Sequence, residues 1–341
     1  MGLKVLIQLA ITAVVIYSQC ESSRVPFDAY QISGPYSFKN LSVFLIHGND
    51  LFASENMLTL EEAVAAKKLV VHETGSVNEL SVENLSEQPV YIQSGDIVKG
   101  GRQDRTIEND HVIMPKSGKV PVGSFCVEQG RWRQRGGEAS GQFSSSKKQL
   151  ASRELKLAAR AAKSQGEVWN QVENMQQKLS DKLGKSVRNT VSSSSLQLTL
   201  EDADLDNKIK EYADSISRKI EKEKKTIGLA VAINGQMSTM DIYGNADLFG
   251  KLRSKLIEAA ATEALGETDT VHSFEKLSLA DAVIWAKNAD QGSSGKEDVD
   301  STVSVIKIDN DNTVQFQTVD KKSGSGVVHK SVLKKSNTTR N

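Results

Sequence analysis

The residues best equipped for chemistry lie in two short strings. The first is Gln93-Ser94-Gly95-Asp96-Ile97-Val98-Lys99-Gly100-Gly101-Arg102-Gln103-Asp104-Arg105, and the second is Cys126-Val127-Glu128-Gln129-Gly130-Arg131-Trp132. A glycine pair lets the backbone take positive φ and approach a partner closely, and Arg102 and Arg105 beside it are forks suited to carboxylate or phosphate. The second string adds a carboxylate, a third guanidinium and an indole able to stack on a ring. Between Lys99 and Arg160 there are 13 basic and 6 acidic residues, a local +7, although the 43 Lys+Arg and 43 Asp+Glu of the whole chain cancel. Charge of one sign gathered in one region favours an anionic ligand there. The competing reading is structural: Arg102 and Arg105 pair with Asp96, Asp104 or Glu128 to fix loops, as ion-pair networks often do.

Other chemistries leave weaker marks. Glu128 or Asp104 as general base, with Glu73 as a third carboxylate, would make a hydrolase of a phosphorylated or glycosidic substrate, but no spacing rule demands it. Gly-x-Ser-x-Gly and His-Glu-x-x-His are missing from the sequence, as are a Walker string and a dinucleotide fingerprint, so no cofactor is expected. With 5 His and 2 Cys a structural zinc site is not expected either. A single Arg133-Gln134-Arg135-Gly136-Gly137 and a net charge of +0 argue against nucleic acid as a partner.

The elements that must position these residues change character along the 341-residue chain. Residues 1–20 read as an export signal: Lys4 precedes an apolar run from Val5 to Tyr17, shorter than the ~20 residues of a spanning helix. Two cleavage readings stand, one with Cys20 as the lipid-bearing first residue of a lipoprotein, the other with a soluble product cut after Ser18 or Ser22. Either places the protein in the periplasm or cell envelope, with the membrane reached only through the signal or a lipid anchor. Cys126, in an alternating apolar run, is expected to be a buried small hydrophobe.

Residues 24–135 show short β runs separated by turn signals, a mostly antiparallel sheet or barrel. Residues 136–149 read as a Gly/Ser/Gln-rich flexible linker. Residues 150–225 form a helical arm, with Val168, Val172, Met175, Leu179 and Leu183 on one apolar face and Leu205, Ile209, Tyr212, Ile216 and Ile220 on another. A stripe left uncovered there would dock a protein partner, the mark of an envelope scaffold. Residues 226–335 combine an Asn234-Gly235 hairpin, helices and closing strands, with a Gly/Ser/Asp loop from Gln291 to Ser301, and 336–341 is a disordered tail. The fold class is α+β.

Several strings together resemble a bacterial and archaeal family, the ARG and Rhodanese-Phosphatase-superfamily-associated protein domain, in which ARG stands for ADP-ribosylglycohydrolase. They are Asn40 to Phe44, Leu58 to Ala63, Val77 to Asn84, Gly95 to Arg105, Pro121 to Trp132, Gln165 to Trp169, Ile227 to Phe249 and Val327-Val328-His329. The resemblance spans about Tyr36 to Leu333 and implies a setting of ADP-ribose or nucleotide metabolism, without naming a reaction. An export signal departs from that setting, since NAD-derived substrates are scarce outside the cytoplasm. Matched to the family strings, Gly101, Gln103, Asp104, Arg105, Glu128, Gly130, Arg131 and Trp132 are the candidate ligand residues, with Gly100 and Arg102 beside them. The leading expectation is a binding module for a small anionic ligand bearing phosphate or carboxylate, with nucleotide-like molecules among the class.

Overall fold

The computed structural model describes residues 24–50, 56–131, 143–268, 274–322 and 326–336. The export signal, the tail beyond Ser336, Trp132 and the first half of the expected linker lie outside the described residues. Strands β1 (Gln31–Phe38) and β2 (Leu41–His47) form an antiparallel hairpin. Short β3 (Leu58–Thr59) leads into helix α1 (Leu60–Ala65), which Thr59 and Glu62 close with a reciprocal capping box. Then follow β4 (Leu69–Glu73), β5 (Glu79–Asn84), β6 (Val90–Ile92), β7 (Asp96–Gly100), β8 (Arg105–Ile107), β9 (His111–Ile113), β10 (Lys119–Cys126) and β11 (Phe143–Leu150). The helical stretch comprises α2 (Arg153–Lys156), which runs on as a π turn over Leu157–Ala161, then α3 (Gln165–Leu183), α4 (Leu196–Leu200) and α5 (Ala203–Ile220). Strands β12 (Thr226–Ile233) and β13 (Gln236–Tyr243), helices α6 (Ala246–Gly266) and α7 (Leu279–Ala289), and strands β14 (Ser293–Asp298), β15 (Val303–Asp309), β16 (Thr313–Asp320) and β17 (Val327–Lys334) complete the chain.

The fold is α+β. Eight strands make one sheet in the order β1-β2-β12-β13-β17-β16-β15-β14, six make a second in the order β11-β7-β8-β10-β5-β4, and β3-β6-β9 form a third. All neighbours are antiparallel except β3 and β6. Both faces of the large sheet are covered, which is why β2 and β12 read as almost unbroken apolar runs. One face packs Leu45, Leu229 and Val231 against α5 and α6 through Leu205, Ile209, Leu256 and Ala260. The other packs Phe44, Ile46 and Ala230 against Ala282 and Ala286 of α7. The β12–β13 turn places Asn234 at φ 50 and Gly235 at φ 71, the left-handed pair its sequence announces. A Cβ on Gly235 would sit 2.2 Å from the Glu275 carbonyl oxygen.

Three features differ from the sequence expectation. The β1–β2 hairpin joins the C-terminal sheet, β2 pairing with β12, so the β-rich 24–135 stretch is not one unit. Within the expected linker, Phe143 to Ser145 pair with β7, at the edge of the six-stranded sheet. The expected Gln291–Ser301 loop contains β14, exposed along its whole length at the other sheet's edge. Edge strands are held by backbone pairing and tolerate polar sequences without apolar alternation, so periodicity does not reveal them. The arm packs inward: Val168, Val172 and Leu179 of α3 are buried in the main core with Leu205 and Ile216 of α5. The uncovered stripe that a scaffold would need is therefore not found on α3. No helix of the described residues is long and apolar enough to cross a membrane.

Candidate functional site

The glycine turn at the end of β7 places Gly100 at φ 127 and Gly101 at φ 52. A side chain on Gly101 would collide with Phe143, whose Cζ lies 2.2 Å from the position of a Cβ. The turn so formed aims two carbonyls at Arg131, which donates from Nη1 to Gly101 O at 3.1 Å and from Nη2 to Gly100 O at 3.2 Å. Its Nε donates to Glu128 Oε2 at 2.7 Å, and Nη2 stands 3.6 Å from Asp104 Oδ1. Asp104 Oδ1 accepts from the Gly100 N–H at 3.0 Å, and the Asp104 N–H donates to Glu128 Oε2 at 3.2 Å. From the connection before α4, Ser192 Oγ donates to Glu128 Oε1 at 2.5 Å and Ser195 Oγ to Asp104 Oδ2 at 3.0 Å. The structure thus brings Gly100, Gly101, Asp104, Glu128 and Arg131 into one closed lock. Asp104 and Glu128 are 0% exposed and ion-paired, a geometry that gives neither a path to a substrate proton.

Arg105 is held differently. It projects from β8 beside Cys126 of β10 and is 0% exposed. Its Nη1 donates to Gln103 O at 3.2 Å and to Gln103 Oε1 at 3.4 Å, while Nη2 faces Glu73 Oε1 across 3.5 Å. Among the described residues Nε and Nη2 have no hydrogen-bond partner, nor has Glu73 Oε1 or the hydroxyl of Ser124, two residues before Cys126 on the same face of β10. Cys126 is fully buried, and burial pushes its thiol up from the usual range. Arg102 is exposed, its backbone N–H donating to Glu73 Oε2 at 3.1 Å, and Gly130 is exposed with φ 83. Trp132 lies outside the described residues. The sequence-local +7 is diluted by distant acids: Glu73 meets Arg105, and Glu201 meets Lys99 at 2.8 Å.

A second buried network went unrecognised in the sequence. Asp110 Oδ2 accepts from Thr318 Oγ1 at 2.5 Å and Arg160 Nη2 at 3.2 Å, and lies 3.2 Å from His329 Nδ1. Asp110 Oδ1 accepts from the Ser94 N–H at 2.8 Å and the Tyr91 hydroxyl at 3.2 Å. His329 Nε2 lies 3.1 Å from Asp241 Oδ1, and its ring stacks on Tyr243 with centroids 4.5 Å apart. None of Tyr91, Asp110, Arg160, Asp241, Tyr243, Thr318 and His329 is more than 4% exposed. The π turn after α2 presents Arg160, with its guanidinium also 4.3 Å above the Phe316 ring. Burial alone would raise Asp110, but Arg160 and His329 outweigh it and hold the carboxyl well below its usual range. Burial likewise opposes ionisation of Asp241, yet Lys156 and His329 lower it to about 2. For His329 burial acts downward, and the two aspartates together hold the imidazole above its usual value. The inward-facing polar positions of β13, β16 and β17 were the available signal. His111, by contrast, is tied by Nδ1 to Asp300 Oδ2 at 2.7 Å.

The fold and these enclosed ion-pair networks define an antiparallel α+β protein whose charged groups largely stitch sheet to helix. Residues 29–335 match the model of the ARG and Rhodanese-Phosphatase-superfamily-associated Protein domain, and the chain belongs to that family. No curated protein and no solved structure gives a significant match to the chain.

Proposed function

We propose that the protein is an exported binding module for a small anionic ligand, and that its anion site centres on Arg105. The observation carrying this reading is the contrast between the guanidiniums. Arg131 is committed to Glu128 and two carbonyls, whereas Arg105 is fully buried with Nε and Nη2 unpartnered by hydrogen bonds among the described residues. Buried donors left open are uncommon and ask for a ligand or ordered water. A carboxylate or phosphate entering beside Glu73 would replace a loose 3.5 Å ion pair by short charge-assisted bonds. Exposed Arg102 stands at the rim of that approach, and the Ser124 hydroxyl offers a further donor on the same face of the sheet. Nucleotide-like anions, as the family's name suggests, are the first class to try.

The test is a thermal-shift screen of residues 24–341 with ADP-ribose, nucleotides, sugar phosphates, dicarboxylates and polyanions, repeated with Arg105→Ala. A ligand at 100 times its Kd stabilises by about 2.7 kcal/mol. One class is expected to raise the Tm, and the variant to lose that shift. Silence from every anion, or a shift that survives in Arg105→Ala, removes the site. Export rests on Lys4 and the apolar run from Val5 to Tyr17. The intact mass of the protein recovered from its own cell is expected to lack the signal, with or without a lipid on Cys20; a full-length mass would refute export by this route.

A further inference from the structure

On the face of the large sheet away from the Asp110 network, β16 forms the floor of a polar pocket. Gln315 and Gln317 lie on this face of β16, and Lys330 of β17 stands opposite Gln317 in the register. The roof is the segment ahead of Phe27, strapped down at the end of α7. Asp290 Oδ2 accepts from the Phe27 N–H at 2.6 Å, and Arg24 Nη2 donates to the Asp290 carbonyl at 2.7 Å. Beneath it, Lys330 Nζ donates to Asp290 Oδ1 at 2.6 Å and to Val25 O at 3.1 Å. The open pocket between them has a volume of about 310 Å³ and is lined by Arg24, Val25, Pro26, Asp290, Gln291, Gln315 and Gln317. That volume is at the lower end of small-molecule sites.

The charges and the amides say what would fit. Asp290 is already neutralised by Lys330 and capped by a backbone N–H, so it offers no free charge. Among the described residues Arg24 has no carboxylate partner, only the Asp290 carbonyl, and it supplies the pocket's uncompensated positive charge. Gln315 is 0% exposed, and among the described residues neither its Oε1 nor its Nε2 has a hydrogen-bond partner. An unmatched buried amide destabilises a fold, and a leucine of similar size would remove that penalty. One amide with both a donor and an acceptor open is matched by a group that both accepts and donates, a hydroxyl or another amide.

We infer that this pocket is a second binding site, distinct from Arg105, for a small carboxylate bearing a neighbouring hydroxyl or amide group. Arg24 holds the carboxylate at the rim, and Gln315 pairs with the hydroxyl or amide on the floor.

The experiment measures Tm and calorimetric binding on the mature protein isolated from cells expressing the full chain. The probes are gluconate and N-acetylglycine, with propionate and glycerol as compounds carrying only one of the two functions. At least one bifunctional probe is expected to raise the Tm by about 2–4 °C at millimolar excess, and the single-function compounds not to. Gln315→Leu is expected to lose the shift while melting at or above the parent temperature. Arg24→Gln, a rim change that leaves the core intact, is expected to weaken binding at least ~10-fold, the scale of one lost charge-assisted bond. Arg105→Ala is expected to keep the shift, which separates this pocket from the anion site. The inference is overturned if no bifunctional probe shifts the Tm, or if the shift survives Gln315→Leu or Arg24→Gln. It is equally overturned if Arg105→Ala abolishes the shift, or if Gln315→Leu lowers the ligand-free Tm, which would make the amide structural.

Discussion

Asp110→Ala is expected to destabilise the protein by about 3–5 kcal/mol, the cost of breaking a buried ion-pair network. The carboxylate receives Arg160, His329, Thr318, Tyr91 and the Ser94 N–H at one fully buried point. Its loss leaves the Arg160 guanidinium without its carboxylate and His329 with Asp241 alone, at the junction of the small sheets, the π turn and the large sheet. For a chain of this size that corresponds to a fall in Tm of roughly 4–7 °C. Arginine buried elsewhere with a second carboxylate would be spared, but Arg160 has no other ion pair among the described residues.

The same network sets a pH signature. Asp110 and Asp241 are depressed in the fold, so their contribution is present above the usual carboxylate range and is lost as pH falls through it towards about 2 for Asp241. His329 is raised, so its contribution is complete below its ordinary value of 6.5 and is lost as pH rises through the folded value. Stability is therefore expected to be greatest between these limits and to decline on both sides. In Asp110→Ala the acid-side decline shrinks, and the imidazole, left with Asp241 alone, gives up part of its alkaline-side loss. Urea unfolding across pH 3–9 checks this. A variant that matches the parent at every pH would show that Asp110 is not the anchor of the network.

Arg131→Ala is expected to cost a similar 3–5 kcal/mol, and Arg105→Ala markedly less. The difference lies in what each leaves behind. Without Arg131, Glu128 and Asp104 remain as two wholly buried carboxylates that have lost its guanidinium, and the Gly100 and Gly101 carbonyls lose their donor. Without Arg105 the partner left is Glu73, whose side chain keeps 11% of its surface exposed and whose Oε2 already accepts from the Arg102 N–H. Glu73 can turn to water where Glu128 cannot. Adding Glu128→Gln to Arg131→Ala should recover part of the loss by removing one stranded charge. Denaturant midpoints measure all three. Equal losses for Arg105→Ala and Arg131→Ala would make Arg105 as structural as its neighbour and remove the basis for an anion site there.

Local pattern accounts for much of the fold. Alternation and turn residues place most strands, the Asn234-Gly235 pair closes β12–β13, and Thr59 starts α1, each through contacts within a few residues in sequence. The candidate strings, too, were visible: Gly100, Asp104, Glu128 and Arg131 do meet. Family membership followed from the same strings. Residue order by itself, then, determined the α+β class, the positions of most elements and the region where guanidiniums and carboxylates gather.

Pairing and burial came only with the tertiary structure. Alternation says which side chains share a face of a strand, not which distant strand lies alongside, so nothing local assigns the β1–β2 hairpin to β12. Asp110 meets Arg160 and His329, and through His329 joins Asp241, across as many as 219 residues, and no spacing rule links them. Charge in a sequence is likewise blind to depth. Arg102, Arg105 and Arg131 look equivalent in the chain, but one is exposed, one is buried with open donors, and one is locked by Glu128. A guanidinium's role depends on which acids reach it and whether water does, and both are properties of the packed chain.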